Sequence, residues 1–173
     1  MIDVLHLTRE QLEAGLDHIR ESPADNGILE MIVRRPAVDE REELEVGELN
    51  HEEGLAGDGW KALARAEQPE GELNPDTQLT LMNSRMVALA AQEKSRWALA
   101  GDQLYVDMDL GVDNMPPGTR LSIGSAILEV TEELHTGCRK FVARFGAEAM
   151  KFVNSEAGRA LRLRGMYARV VKP

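Results

Sequence analysis

Segments that read as β-strands recur from Ile28 to Val171, and helical segments fall between them without a regular strand–helix–strand alternation. "GILEMIVRRP" is dense in β-branched and apolar residues and stops at Pro36, which has no N–H for a ladder, so Ile28 to Arg35 is predicted as a strand. "QLYVDMDL" alternates Leu104, Val106, Met108 and Leu110 with polar partners, the pattern of a strand. "TRLSIG" and "SAILEVTEE" follow the turn signal "MPPG" and join through Gly124 and Ser125, as a hairpin would. "GMYARVV" reads as a further strand. This distribution points to a β-rich α+β domain, a distorted β-barrel with a few peripheral helices.

The helical signals are equally local. Thr8 and Gln11 form a capping-box pattern ahead of Leu12, Leu16 and Ile19, which predicts an amphipathic helix in an N-terminal extension of residues 1 to 27, packed on a core of about residues 28 to 172. "QLTLMNSRMVALAAQEKSRWALAG" reads as a strand running into a helix capped near Asn83 or Ser84, with Met86, Leu89, Ala90 and Trp97 inward and Gly101 as its stop. "FVARFGAEAMKFVN" places Phe141, Phe145, Ala149 and Phe152 near one helical face, interrupted by Gly146. No repeat, low-complexity tract or Gly/Ser linker marks a boundary, so the 173 residues are expected to form a single domain.

A single cysteine rules out a disulfide framework, so the fold must stand on packing, and that suits a reducing cytoplasm. The opening "MIDVLHLTREQLEAGL" lacks the basic start and apolar run of a secretory signal. No stretch approaches the roughly 18 apolar residues of a membrane span. A soluble, cytoplasmic protein without membrane contact is expected. The net charge of −10 argues against nucleic acid as a general partner. That charge is unevenly spread. Residues 135–173 hold nine Lys/Arg and two Asp/Glu, a net of +7, against 11 and 28 in residues 1–134, a net of −17. Either a local anion, most simply a phosphate, is bound near the C-terminal part, or the basic end pairs with the acidic remainder of the surface.

The sign changes next to Cys138, in "ELHTGCRKFVARFG". P-loop, dinucleotide-binding, nucleophile-elbow and HExxH motifs are all missing, and one cysteine cannot build a CxxC site. A thiolate is favoured by neighbouring cations and by a helix start, and Arg139, Lys140 and Arg144 after Gly137 offer both. Such a thiolate serves as sulfur acceptor, nucleophile or soft metal ligand; the alternative is an inert packed cysteine. His135 reads as a hydrogen-bonding histidine of the core or as a catalytic companion of Cys138. Arg144 reads equally well as a surface ion-pair partner.

"GLAGD" at 54–58, "GDQLYVDMDL" at 101–110, "GTRLSIGSAILEVTEE" at 118–133 and "HTGCRKFVARFG" at 135–146, in this order and spacing, resemble the MOSC domain, named for the C-terminal part of molybdenum cofactor sulfurases. The resemblance covers roughly residues 28 to 172. It implies a β-barrel-like fold with Cys138 near a cofactor cleft, carrying sulfur or ligating molybdenum, as in the mitochondrial amidoxime-reducing component and its bacterial relatives, which reduce N-hydroxylated compounds. It departs from many members in Thr136 and Gly137 before the cysteine, in Gly101, Asp102, Gln103 and Leu104 for the usual G-E-N-L, and in Gly59 where a basic residue is common. A molybdenum cofactor of the molybdopterin type has a pterin and a phosphate-bearing tail, for which Arg139, Lys140, Arg144, Arg159, Arg162 and Arg164 are candidates. Asp58 would fix a pterin amine or only close a turn. Two functions follow from the resemblance. One is an oxidoreductase fed by an external reductase; the other is a sulfur or cofactor carrier supplied by a separate desulfurase.

Overall fold

The computed structural model describes residues 4–173. Thr8 caps α1 (Arg9–Ala14) through the expected reciprocal pair, its Oγ1 accepting from the Gln11 N–H while Gln11 Oε1 accepts from the Thr8 N–H. The amphipathic segment is not one helix: it breaks at Gly15 and resumes as α2 (Leu16–Arg20). Leu12 and Ile19 are buried in the main helical core. The strands and remaining helices follow as β1 (Ile28–Arg34), β2 (Glu42–Leu44), β3 (Leu49–Asn50), β4 (Gly54–Leu55), α3 (Trp60–Glu67), β5 (Leu79–Asn83) and α4 (Ser84–Ala91). After them come β6 (Leu104–Asp107), β7 (Arg120–Ile123), β8 (Ala126–Val130), α5 (Arg139–Phe145), α6 (Ala147–Asn154), α7 (Glu156–Ala160) and β9 (Met166–Lys172).

Seven strands form one sheet in the order β2-β1-β6-β5-β9-β8-β7, and β3 pairs with β4 apart from it. Side chains alternate between two cores. Leu79, Leu81, Leu104, Val106, Leu128, Val130 and Met166 fill the inner one, against which pack Ile32 and Leu44 from one end of the sheet and Leu121 and Ile123 from the other. Strands from both ends meeting on one cluster curl the sheet into a half-barrel, in line with the predicted β-rich α+β class. On the outer face Met31, Val33, Met82 and Tyr105 meet Met86, Val87, Trp97, Phe141, Phe145 and Phe152 from the helical segments.

Two local expectations need correction. β6 is not exposed on alternate residues: Leu104, Tyr105 and Val106 are all buried, because it is a central strand covered on both faces. The helix predicted up to Gly101 ends instead at Ala91, where Gln92 turns left-handed (φ 65°), and a 3-10 helix (Lys94–Ala100) completes the segment. Together they cross from β5 to β6, a parallel pair that no tight turn can join. The hairpin at Gly124 and Ser125, the Asn83 cap and the break at Gly146 all fall where predicted.

Phe145 is 1% exposed, with its ring 5.0 Å from that of Phe141. Phe145→Ala should therefore lower stability by about 3–5 kcal/mol in urea titrations, as expected for a truncated core aromatic. A loss below about 1 kcal/mol would mean that these helices do not pack as described.

Candidate functional site

Helices leave their last carbonyls without continuing partners, and these carry the negative end of the helix dipole. At the end of the crossover, four successive carbonyls each accept from a different arginine. Arg41 Nε donates to Ala98 O at 3.1 Å, Arg144 to Leu99 O at 2.7 Å, Arg164 to Ala100 O at 2.9 Å and Arg35 to Gly101 O at 3.2 Å. The four come from separate places: the residue after β1, the residue before β2, α5, and the turn leading into β9. They wall a cleft of about 220 Å³ that is also lined by Trp60, Phe141, Tyr167, His135, Lys140 and Cys138, with Asp39 and Glu67 as its acids.

The arginines differ in how they are compensated. Arg35 is clamped by Asp58, whose fully buried carboxylate accepts from the guanidinium at 3.0 and 2.7 Å and from the Arg35 N–H at 2.8 Å. The Trp60 N–H and Gln103 Nε2 occupy the same carboxylate at 3.0 and 3.1 Å. Arg164 pairs at 2.6 Å with Asp102, also fully buried, and lies 5.0 Å from the Phe141 ring. Its Nε is buried with no partner among the described residues. Arg144 and Lys140 share only Asp39, at 3.3 and 3.7 Å, and Arg41 has no carboxylate partner among the described residues. Burial, followed by the charges of Arg144 and Arg35, pulls the Arg41 pKa down. Among the ion pairs of the described residues, Arg41, Lys140 and Arg144 thus have one carboxylate between them, that of Asp39.

Behind them lies a second polar unit. Asp102 Oδ1 is 3.1 Å from His135 Nε2. Burial pushes the Asp102 pKa up, but the Arg164 charge and the contacts with His135 and Arg164 outweigh it and hold the carboxyl at about 2. With the carboxylate ionised, Nε2 must donate, which leaves Nδ1 as the proton-accepting nitrogen. Burial and the Arg164 charge lower the His135 pKa against the opposing pull of Asp102, so the imidazole is neutral. Gly165 makes room for the pair: at φ +121° a Cβ there would sit 2.6 Å from Leu81 O and 3.0 Å from the His135 ring.

Cys138 is exposed and forms the N-cap of α5 without a side-chain capping bond. Gly137 before it answers to packing, since a Cβ there would collide with Met150 Sδ on α6. Of the residues singled out in sequence, the cleft gathers Cys138, His135, Lys140, Arg144 and Arg164. Asp58 stands behind the wall, holding Arg35 and closing the turn into α3. Arg139 is exposed but does not line the cleft, Arg159 is exposed on α7, and Arg162 donates to Leu110 O and Met115 O elsewhere. Sequence reasoning missed Arg35, Arg41 and Asp102. The only trace of the first two was a pair of arginines bracketing the short turn "PAVDE" after a strand, inside the strongly acidic part of the chain.

No protein-family model matches the chain, and no curated protein does. Solved structures do. YuaD from Bacillus subtilis aligns with a TM-score of 0.55 at 16% identity, over 86% of this chain and 91% of its own. YiiM from Escherichia coli aligns at 0.50 with 20% identity over 83% of this chain, and a hypothetical protein at 0.52 with 20% identity over 83%. This chain spans only 62% and 61% of those two. At such identities the likeness is one of fold alone. No helix among the described residues is long and apolar enough to cross a membrane.

The buried histidine gives the site a pH signature. A histidine whose pKa is lowered on folding stabilises the fold above its unfolded value of 6.5, and that contribution is lost as pH falls below it. Asp102, ordinarily 3.8 and here about 2, adds a second loss between those values. The urea midpoint of the wild type should fall from pH 7.5 to pH 5.5 more than that of His135→Gln, whose amide still donates to Asp102. Parallel pH profiles for the two proteins would place His135 in a solvated, unperturbed setting.

Proposed function

We propose that the chain is a MOSC-type domain that binds a molybdenum cofactor of the molybdopterin type, with its anionic tail at Arg41, Lys140 and Arg144 and its metal at Cys138. The observation that carries this reading is the convergence of four arginines on four successive carbonyls in the same cleft as an exposed thiol. The residues fit such a group. Among the described residues no three His, Cys, Asp or Glu side chains cluster to hold a metal, so a metal at Cys138 would have to arrive with ligands of its own. Under-compensated guanidinium groups suit a phosphate, which takes forked donors better than point charges. Trp60, Phe141 and Tyr167 supply aromatic wall for a flat ring system.

When bound, the cofactor would supply two-electron redox chemistry for an N-hydroxylated substrate, with electrons from a separate reductase. Cys138 would contribute one soft thiolate. His135, neutral and oriented by Asp102, would be a proton acceptor in the cleft wall. Arg35 and Arg164, neutralised by Asp58 and Asp102, would position the wall rather than attract the anion. Carrying sulfur as a Cys138 persulfide is the second reading, favoured by the exposure of the thiol and the absence of any capping bond to it.

Purification from a host that makes the cofactor tests both. Cys138→Ser should keep part of the pterin, read by fluorescence after oxidation, and lose molybdenum and reductase activity, because a serine hydroxyl stays protonated and is a poor soft ligand. Arg144→Ala should weaken cofactor retention on the order of 10- to 100-fold, the loss of one charge-assisted contact, with the surviving holo fraction active. Wild type free of pterin and metal, or Cys138→Ser with full activity, would exclude the metal-ligand reading and leave the carrier.

A further inference from the structure

Two acids line the cleft itself, Glu67 on the wall shared with Tyr167 and Asp39 beside the under-compensated cations. Asp39 lies between Arg35 and Arg41, in a turn closed by the Glu40 N–H donating to Ala37 O at 3.1 Å. Its backbone is left-handed, φ 61°, a conformation that Asp and Asn adopt more readily than most residues. The turn brings the carboxylate 3.3 Å from Arg144 and 3.7 Å from Lys140. Asp58 and Asp102 have 0% of their side chains exposed, but Asp39 has 67%. An exposed ion pair of this kind is weak and exchanges readily.

We propose that Asp39 is a tethered stand-in for the anionic group of the ligand, holding Arg144 and Lys140 in place until a phosphate displaces it. The proposal rests on the anion-binding reading of the cleft and adds a selection rule to it. A dianion brings a second charge and further acceptor oxygens to replace the contacts that Asp39 gives up. A monoanion replaces one carboxylate by another group of the same charge and gains little. Asp39 thereby biases the cleft toward phosphate over the chloride and carboxylates that surround any protein. Entry of the phosphate also releases the 37–40 turn that spans Arg35 and Arg41.

Titration calorimetry with inorganic phosphate at pH 8, where the dianion dominates, tests this on the full chain from a host that does not make the cofactor. Asp39→Asn, which keeps the left-handed turn, should bind phosphate about 3- to 5-fold more tightly than wild type, the range of one exposed ion pair. Asp39→Glu, which keeps the charge, should stay near wild type. Equal affinities for wild type and Asp39→Asn overturn the proposal while leaving the anion cleft standing. Equal gains in Asp39→Asn and Asp39→Glu overturn it as well, by reducing Asp39 to a turn residue. If wild type and Asp39→Asn both fail to bind phosphate, the anion cleft itself is refuted and the proposal falls with it.

Discussion

The cleft depends on the run of carbonyls from Ala98 to Gly101 at the end of the β5–β6 crossover. A carbonyl satisfies a guanidinium N–H without cancelling its charge, whereas a carboxylate does both. Four long side chains with large rotamer freedom are therefore fixed in one place while much of their positive charge survives. An arriving anion meets donors that are already oriented and partly stripped of water, so little ordering remains to be done at binding.

The same surroundings show where charge had to be cancelled. Arg35 and Arg164 have 14% and 7% of their side chains exposed, and each is matched by a carboxylate with no exposed surface. A buried guanidinium without such a partner would carry a desolvation penalty of several kcal/mol, so losing Asp58 or Asp102 alone would be far more disruptive than losing either whole pair. Arg41 and the rim residues Arg144 and Lys140 keep some exposure, so water offsets part of their missing counter-charge. Pairing with a buried carboxylate thus separates Arg35 and Arg164 from Lys140 and Arg144, whose shared partner is exposed.

Much of the fold was legible in the sequence because its signals are local: the Thr8 capping box, the Gly124–Ser125 hairpin, the Asn83 cap and the break at Gly146 are decided within a few residues. Two failures share another cause. β6 was recognised by its alternation, which says nothing about what covers the second face, and Gln92 broke a helix that its neighbours favour. At the site, the charge excess after residue 135 pointed to Lys140, Arg144 and Arg164, which line the cleft, and equally to Arg139, Arg159 and Arg162, which do not. Arg35 and Arg41 were hidden by the acidic residues around them, since net charge averages over a segment while a cleft selects single side chains. Asp102 stood in the sequence only as a departure from the usual G-E-N-L, because the partners that give it a role, His135 and Arg164, lie 33 and 62 positions away.

The place of β9 bears on how the chain is made. It lies between β5 and β8, in the middle of the sheet, although it comes last of the strands in chain order. On a ribosome, β5 and β8 therefore emerge with bare edges facing each other and cannot be bridged until residues 166–172 have left the exit tunnel. Arg164 enters with the same stretch, so the β-sheet and the cleft are completed in a single late step. Until then the nascent chain exposes two unpaired strand edges, the state in which such a sheet is most open to misassociation and to the attention of chaperones.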